Sequence, residues 1–540
     1  MKKTFLTGLA VLIALVSFAQ GTKKPKLVVG IVVDQMRYEY LHKFKDRYTD
    51  GGFKRLMDEG FMMKNAHYNY IPTYTGPGHS SVYTGTTPAT HGIVGNNWYV
   101  RDLGRMIYCA EDSTVSAVGG TEKNGKISPR NMLTTTITDE LRLSTNQRSK
   151  VVGVAIKDRG AALPAGHLGD AYWFDKNTGE FMTSTYYKEE VPKWLKKFNN
   201  KKLAQKYLSN TWKPLYNIKT YVQSVEDNNE FEVPFIGRET TDFPYDLEEL
   251  MENNDGIGLI AGTPFGNDLT LDMAYAALEG EELGKGDETD FLAVSFSSTD
   301  YVGHRFGPSS VELEDTYLRL DQGLEEFFGY LDKEYGEGEY LVFLTADHAV
   351  ADVVNYFKSM DVPTGSFDSR FALTQLKGFT RANYGEGDWI LNTSNDQIFL
   401  NRPLIAEKDL DLEEVQRDIA DFMLRFDGVK EAYTAADMKR FEYTEGRKHL
   451  LQMGFNHKAS GDVLLILEPA WLTNSSRGTT HGTGFIYDTH VPVLFYGWNV
   501  KPGQSSKYCT ITDIAPTISM LLDIRIPNGA SGQPIQEITD

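Results

Sequence analysis

The chain has 540 residues, 41% of them hydrophobic, with a formal net charge of -19 and a pI near 5.1. That length can bury a large core, and one big domain with insertions fits as well as two or three domains. The acidic balance disfavours nucleic-acid backbones and anionic membranes, so no nucleic-acid partner is expected, and any phosphate site must be positive locally.

Lys2 and Lys3 precede an apolar run, and Ser17 and Ala19 follow it at a plausible cleavage point. This reads as a signal peptide over residues 1–19, too short for a bilayer span of roughly 20 residues. No cysteine follows it to take a lipid anchor. A mature protein of residues 20–540 is expected in the periplasm or outside a bacterial cell, as a monomer.

The run K-L-V-V-G-I-V-V-D ends on Asp34 and reads as a buried parallel strand with a functional residue at its carboxyl end. Thr75-Gly-Pro-Gly-His follows, with Pro77 acceptable in a first helical turn and glycines that let backbone approach a ligand. Backbone N–H groups there would face a phosphate. Alone, Thr75 would more often be a helix N-cap. Asn96 sits in H-G-I-V-G-N, a turn whose amide could donate to a phosphate oxygen. His79 and His91 flank this region as possible partners of metal ligands. Cys109 and Cys509 are the two cysteines, compatible with one disulfide or with two unpaired core residues.

Helical periodicity begins near Leu133, and a second strand runs from Lys150 to Lys157. Lys157 and Arg159 then share a face if the chain stays extended, giving a point charge beside a bidentate fork. The stretch 176–262 has little parallel-strand character and reads as an insertion. A third strand ends on Asp300, four residues before His304, close enough for one helical turn to deliver both. A long helix follows from Val311. A fourth strand ends on Asp347 and His348. The stretch 351–470 reads as a second insertion. Thr480-His481-Gly, a strand after His490 and a helix from Ile511 complete the chain. Strands alternating with helices give an α/β fold with a largely parallel central sheet, where ligands gather at the carboxyl ends of strands.

Asp34, Asp300, His304, Asp347, His348 and His481 form two sets of three, the ligand number of a catalytic zinc. Two such ions about 4 Å apart can activate an attacking oxygen and stabilise a leaving one. With Thr75 as nucleophile, this points to phosphoryl transfer. Two zinc ions, three aspartates, Lys157 and Arg159 leave a positive site that a phosphomonoester dianion balances better than a diester monoanion.

This series resembles the alkaline phosphatase superfamily over nearly the whole mature chain. The stretch after His79 is similar to the nucleotide pyrophosphatase/phosphodiesterase branch, and Lys157-x-Arg159 resembles the PafA-type alkaline phosphatases. The resemblance implies an alkaline-phosphatase-like sandwich with inserted cap segments. It also implies two Zn2+ and a phosphothreonine intermediate on Thr75. Asp34, Asp347 and His348 would hold the zinc beside Thr75. Asp300, His304 and His481 would hold the zinc at the leaving oxygen, and Asn96, Lys157 and Arg159 would contact the non-bridging oxygens. No carboxylate set for a third, magnesium site is evident, and Lys157 is positioned in sequence to replace it. The expected enzyme is a secreted phosphomonoesterase of broad range that scavenges phosphate. A phosphodiesterase or nucleotide pyrophosphatase on the same scaffold is the alternative.

Overall fold

The computed structural model describes residues 24–539, so the expected leader at 1–19 lies outside the described residues. Its centre is a ten-stranded sheet. In chain order the strands are β1 (Leu27–Val33), β2 (Phe61–His67), β3 (Ala117–Val118), β4 (Val151–Ala155), β5 (Asp170–Asp175), β6 (Glu180–Ser184), β7 (Asp290–Phe296), β8 (Tyr340–Thr345), β9 (Val493–Gly497) and β10 (Gly503–Thr510). They lie side by side as β10-β2-β9-β8-β1-β7-β4-β5-β6-β3. The block β8-β1-β7-β4-β5 is parallel throughout. Every residue of β1, β7 and β8 is buried, which is why each is written in predominantly apolar residues and not as an alternating pattern.

Direction changes outside that block. β9 pairs antiparallel with β8 and β2, and β6 pairs antiparallel with β5. The hydrophobic pattern of a strand carries no information about its direction. β6 also lies inside 176–262, so part of that stretch belongs to the main sheet.

The helices that matter here are α1 (Thr75–Thr84), α2 (Ile137–Ser144), α3 (Asp158–Ala165), α4 (Phe265–Gly280), α5 (Ser298–Phe306), α6 (Val311–Tyr335) and α7 (Ile514–Leu522). Thr136 and Asp139 close a capping box on α2, and Ser310 caps α6. α1, α3 and α5 follow the carboxyl side of the sheet and carry site residues in their first turns.

The stretch 351–470 carries its own antiparallel sheet. Ile390–Ser394, Gln397–Leu400, Val463–Leu467 and Val429–Thr434 lie in that spatial order. Leu376, Leu400 and Ile419 centre a separate apolar core. Two hydrogen bonds help tie this cap to the segment that follows Asn96. Arg101 donates to the buried Asp462 at 2.8 Å, and Asn395 Nδ2 donates to the Asn97 carbonyl at 2.8 Å. Cys109 and Cys509 are both buried and unpaired, which resolves the disulfide alternative in favour of two separate core thiols.

Candidate active site

Four strand ends deliver the polar groups. Asp34 follows β1, Lys157 follows β4, Asp300 opens α5 just after β7, and Asp347 with His348 follows β8. β8 ends at Thr345, so Asp347 and His348 are free of strand alternation and reach one cluster. Two groups of potential ligands result: Asp34, Asp347 and His348 in one, and Asp300, His304 and His481 in the other. Asp300 Oδ1 and His304 Nε2 lie 3.0 Å apart across one turn of α5. The His348 and His481 rings stack at 3.4 Å between centroids, so the two groups adjoin.

Backbone carbonyls fix all three imidazoles. His304 Nδ1 meets the Thr479 carbonyl at 2.7 Å, His481 Nδ1 meets that of Thr73 at 2.7 Å, and His348 Nδ1 meets that of Ala349 at 3.0 Å. A proton on each Nδ1 leaves the Nε2 lone pair facing inward, the arrangement a metal ligand needs. Burial lowers His348 to about 3 and holds His481 well below its ordinary value. Burial also acts to lower His304, but Asp300 carries it above its ordinary value.

Lys157 sits differently from expectation. Its Nζ lies 2.7 Å from Asp34 Oδ2 and 2.5 Å from Asp300 Oδ2, bridging one carboxylate from each group. Burial would lower it, yet Asp300 and Asp34 hold its charge firmly. Burial raises Asp34 and Asp347 raises it further. Burial would raise Asp300 too, but His304 and Lys157 hold it well below the carboxylate range. Asp347 is pushed up to about 6 by burial. Asp34 Oδ1 and Asp347 Oδ2 are buried with no hydrogen-bond partner. These orphaned oxygens, with oxygen and nitrogen donors three to a group, fit a divalent ion of the zinc class.

Thr75 is the first residue of α1, and Tyr74 occupies the N-cap position, so Thr75 is free of capping duty. Its Oγ1 stands 3.4 Å from His348 Nε2 and 3.4 Å from Arg159 Nη2. The expected array of free N–H groups does not form. Gly76 N–H donates to Asn96 Oδ1 at 2.7 Å, Pro77 has none, and Gly78 N–H donates to the Tyr74 carbonyl at 2.8 Å. The bond to Gly76 instead orients Asn96 and leaves its amide N–H groups to donate elsewhere. Gly78 serves close approach: a Cβ there would lie 2.1 Å from the Asp347 carbonyl oxygen.

The extended-chain argument for Lys157 and Arg159 fails locally, because Asp158 already opens α3. Arg159 reaches Thr75 from the second residue of that helix instead. Tyr108 bridges the turn, contacting Asp158 and accepting from Arg159 Nη1 at 3.1 Å.

His79 does touch this network. It meets the Thr75 carbonyl at 3.0 Å and Ser295 Oγ at 2.9 Å, with Asp347 Oδ2 3.6 Å from Nδ1. His91 does not. It contacts Ser81 Oγ at 2.9 Å and accepts from the Ile93 N–H at 3.2 Å, bracing α1 from behind.

Gln35 was not foreseen. Its backbone N–H donates to Asp347 Oδ1 at 3.1 Å and its Nε2 to Asp300 Oδ1 at 2.7 Å, linking the two groups. It reaches both from a left-handed backbone, φ +66°, which no hydrophobic pattern marks. Gly303 lets it pass: a Cβ there would lie 1.9 Å from Gln35 Oε1.

A family model described as type I phosphodiesterase / nucleotide pyrophosphatase matches residues 28–493, and the chain belongs to that family. Alkaline phosphatase PafA of Elizabethkingia meningoseptica is 44% identical over 543 residues, covering 99% of each chain. A Myroides odoratus protein named a calcium-transporting ATPase is 45% identical over 542 residues, again 99% of each. The crystal structure of wild-type alkaline phosphatase PafA superposes with a TM-score of 0.93 at 44% identity, covering 96% of this chain and all of that one. Within the family, then, this enzyme is an alkaline phosphatase of the PafA type.

Proposed function

We propose that this alkaline phosphatase is an exported two-zinc phosphomonoesterase that works through a phosphothreonine at Thr75. One observation carries the reading: Thr75 Oγ1 stands 3.4 Å from both His348 Nε2 and Arg159 Nη2, beside two adjoining three-residue ligand groups. Two Zn2+ held by those groups would supply Lewis acidity to the attacking and leaving oxygens. Thr75 Oγ1 attacks phosphorus, the ester oxygen departs with its organic group, and phosphate is left on Thr75. Water then attacks phosphorus, the bond to Oγ1 breaks, and inorganic phosphate leaves. Arg159 offers a fork to two non-bridging oxygens, and the Asn96 amide, aimed by Gly76, offers another donor. Lys157 offsets Asp34 and Asp300, which keeps the site positive enough for a dianion.

A cavity of about 420 Å³ opens beside Lys157 and Arg159, with Tyr108, Phe235 and Tyr301 in its walls. Its mixed apolar and polar lining supports a broad range of leaving groups. The leader expected at residues 1–19 supports export, and a phosphatase outside the cell membrane would scavenge phosphate. The family match favours the diesterase reading as the alternative.

The test is acid quenching of zinc-loaded enzyme during turnover, followed by peptide mass spectrometry. Phosphate on Thr75 is expected, with none on Thr75→Ala, whose turnover falls by about a thousandfold or more. Full turnover by Thr75→Ala would remove the nucleophile assignment.

A further inference from the structure

The cavity of about 420 Å³ beside Arg159 has a second guanidinium in its wall, that of Arg305. Arg305 follows His304 on α5, as Tyr301 follows Asp300. Each residue of a helix is turned about 100° from the one before it. Asp300 and His304 therefore reach one ligand group, while Tyr301 and Arg305 line the cavity one turn apart. The helix that presents those two ligands also forms part of the cavity wall.

Charge in that wall is unevenly compensated. Lys157 bridges Asp34 and Asp300, and Lys176 pairs with Asp255 at 2.9 Å. Arg159 and Arg305 form no ion pair among the described residues. Arg305 is half-buried. Its Nη1 donates to the Pro234 carbonyl at 3.0 Å and stands 3.4 Å from that of Val233. Its guanidinium lies over the Phe235 ring, 4.3 Å from the centroid. These contacts fix the plane of the fork. They leave the Nε and Nη2 edge without an acceptor among the described residues. Such an edge matches the two oxygens of a carboxylate or phosphate. The span suits a small leaving group. Lys157 Nζ lies 5.1 Å from the Tyr301 ring centroid. Tyr301 and Arg305, four residues apart, are then roughly 6 Å from each other along the helix. Ile156, Trp173 and Phe174 give the cavity an apolar side.

We infer, resting on the monoesterase reading above, that Arg305 binds a second oxyanion carried by the leaving group. The preferred substrates are then phosphate monoesters with a carboxylate or a further phosphate about one ring away from the ester oxygen. Arg159 takes the transferred phosphate and Arg305 takes the far end of the leaving group. The body between them lies against the apolar side of the cavity. A chain with a net charge of -19 repels such doubly anionic esters at long range, and the two unpaired guanidiniums supply the local attraction.

The test uses phenyl phosphates that carry a carboxylate, a second phosphate or a neutral carboxamide at the meta or para position. On zinc-loaded enzyme, kcat/KM should favour at least one doubly anionic ester over its carboxamide by about tenfold. The larger gain, carboxylate or phosphate, identifies the group that the fork fits. Arg305→Gln should bring that preference to within about threefold of unity, and Arg305→Lys, which keeps the charge without the fork, should fall between. A loss of fold or of zinc would lower every ester together, so the ratio isolates recognition of the second charge. If wild type turns over the carboxamide and the charged esters equally, or if Arg305→Gln keeps the preference, the second-anion site is wrong and the monoesterase reading stands. If wild type turns over none of these esters, the monoesterase reading falls and the second-anion site falls with it.

Discussion

At the scale of single residues, Lys157 and Arg159 do different jobs from two neighbours on one strand face. Lys157 is an internal countercharge between Asp34 and Asp300, and Arg159 is the group that reaches Thr75. Truncating both to alanine should therefore lower kcat/KM for a monoester by about a hundredfold or more, and for a diester by much less. Equal losses on both substrates would show that the pair supports the fold of the site and does not read the second phosphate charge. Asp347 gives a pH prediction. Its carboxyl is raised to about 6 by burial, so the metal-free protein binds a proton there that the unfolded chain releases at lower pH. For such a group folding stability is greatest below the unfolded value near 3.8 and declines as pH rises through about 6. Metal binding needs the charged form, so zinc affinity moves the other way and increases over that window. Thermal melts of metal-free and zinc-loaded enzyme between pH 4 and pH 8 (about one melt per half unit) should diverge as pH rises. Parallel curves would contradict the coupling. The ligand residues were legible because each ends an apolar run or sits in a short polar motif. Gln35 was not, because a single left-handed residue leaves no trace in periodicity.

At the scale of elements, α1 packs so closely that its second glycine, Gly78, has no room for a methyl group. Gly78→Ala would drive a Cβ to 2.1 Å from the Asp347 carbonyl oxygen. The backbone must shift, at a cost of about 1–3 kcal/mol, and Asp347 shifts with it. Zinc affinity at the Asp34, Asp347 and His348 group should fall more than at the other group, measured by competition with a chelator. Unchanged affinity at both would mean the contact relaxes without moving the ligand. The parallel strands of the sheet were readable as apolar runs ending in carboxylates. β9 was readable as a strand but not as antiparallel, since burial on both faces looks the same in either direction. β6 was hidden because it is a short antiparallel strand after β5, inside a stretch rich in Lys, Asn and Tyr.

At the scale of the whole molecule, the cap built on residues 390–467 is anchored where the chain has buried a single carboxylate under many donors. Asp462 is fully buried and takes hydrogen bonds from Arg101, Arg402, Gln416 and the Leu400 N–H. Asp462→Ala strands those donors and should cost about 3 kcal/mol, read from chemical denaturation. Because Arg101 belongs to the loop after Asn96, KM for a monoester should rise in the same variant. A destabilised variant with an unchanged KM would separate the cap from the phosphate site. The cap sheet was not legible as a sheet. Its strand Ile390–Ser394 has no buried residue and Val429–Thr434 is mostly half-buried, so neither shows the apolar run that marks the main sheet. Among the described residues no helix is long and apolar enough to cross a membrane.

The most direct measurement compares kcat/KM for an aryl phosphate monoester with that for the matching methyl diester, on zinc-loaded mature enzyme. The account predicts a monoester preference of about a thousandfold or more, because a site with Lys157 and Arg159 beside two divalent ions is balanced by a dianion. A diester preference would contradict it, keeping the fold and the metal groups but transferring the function to phosphodiester hydrolysis.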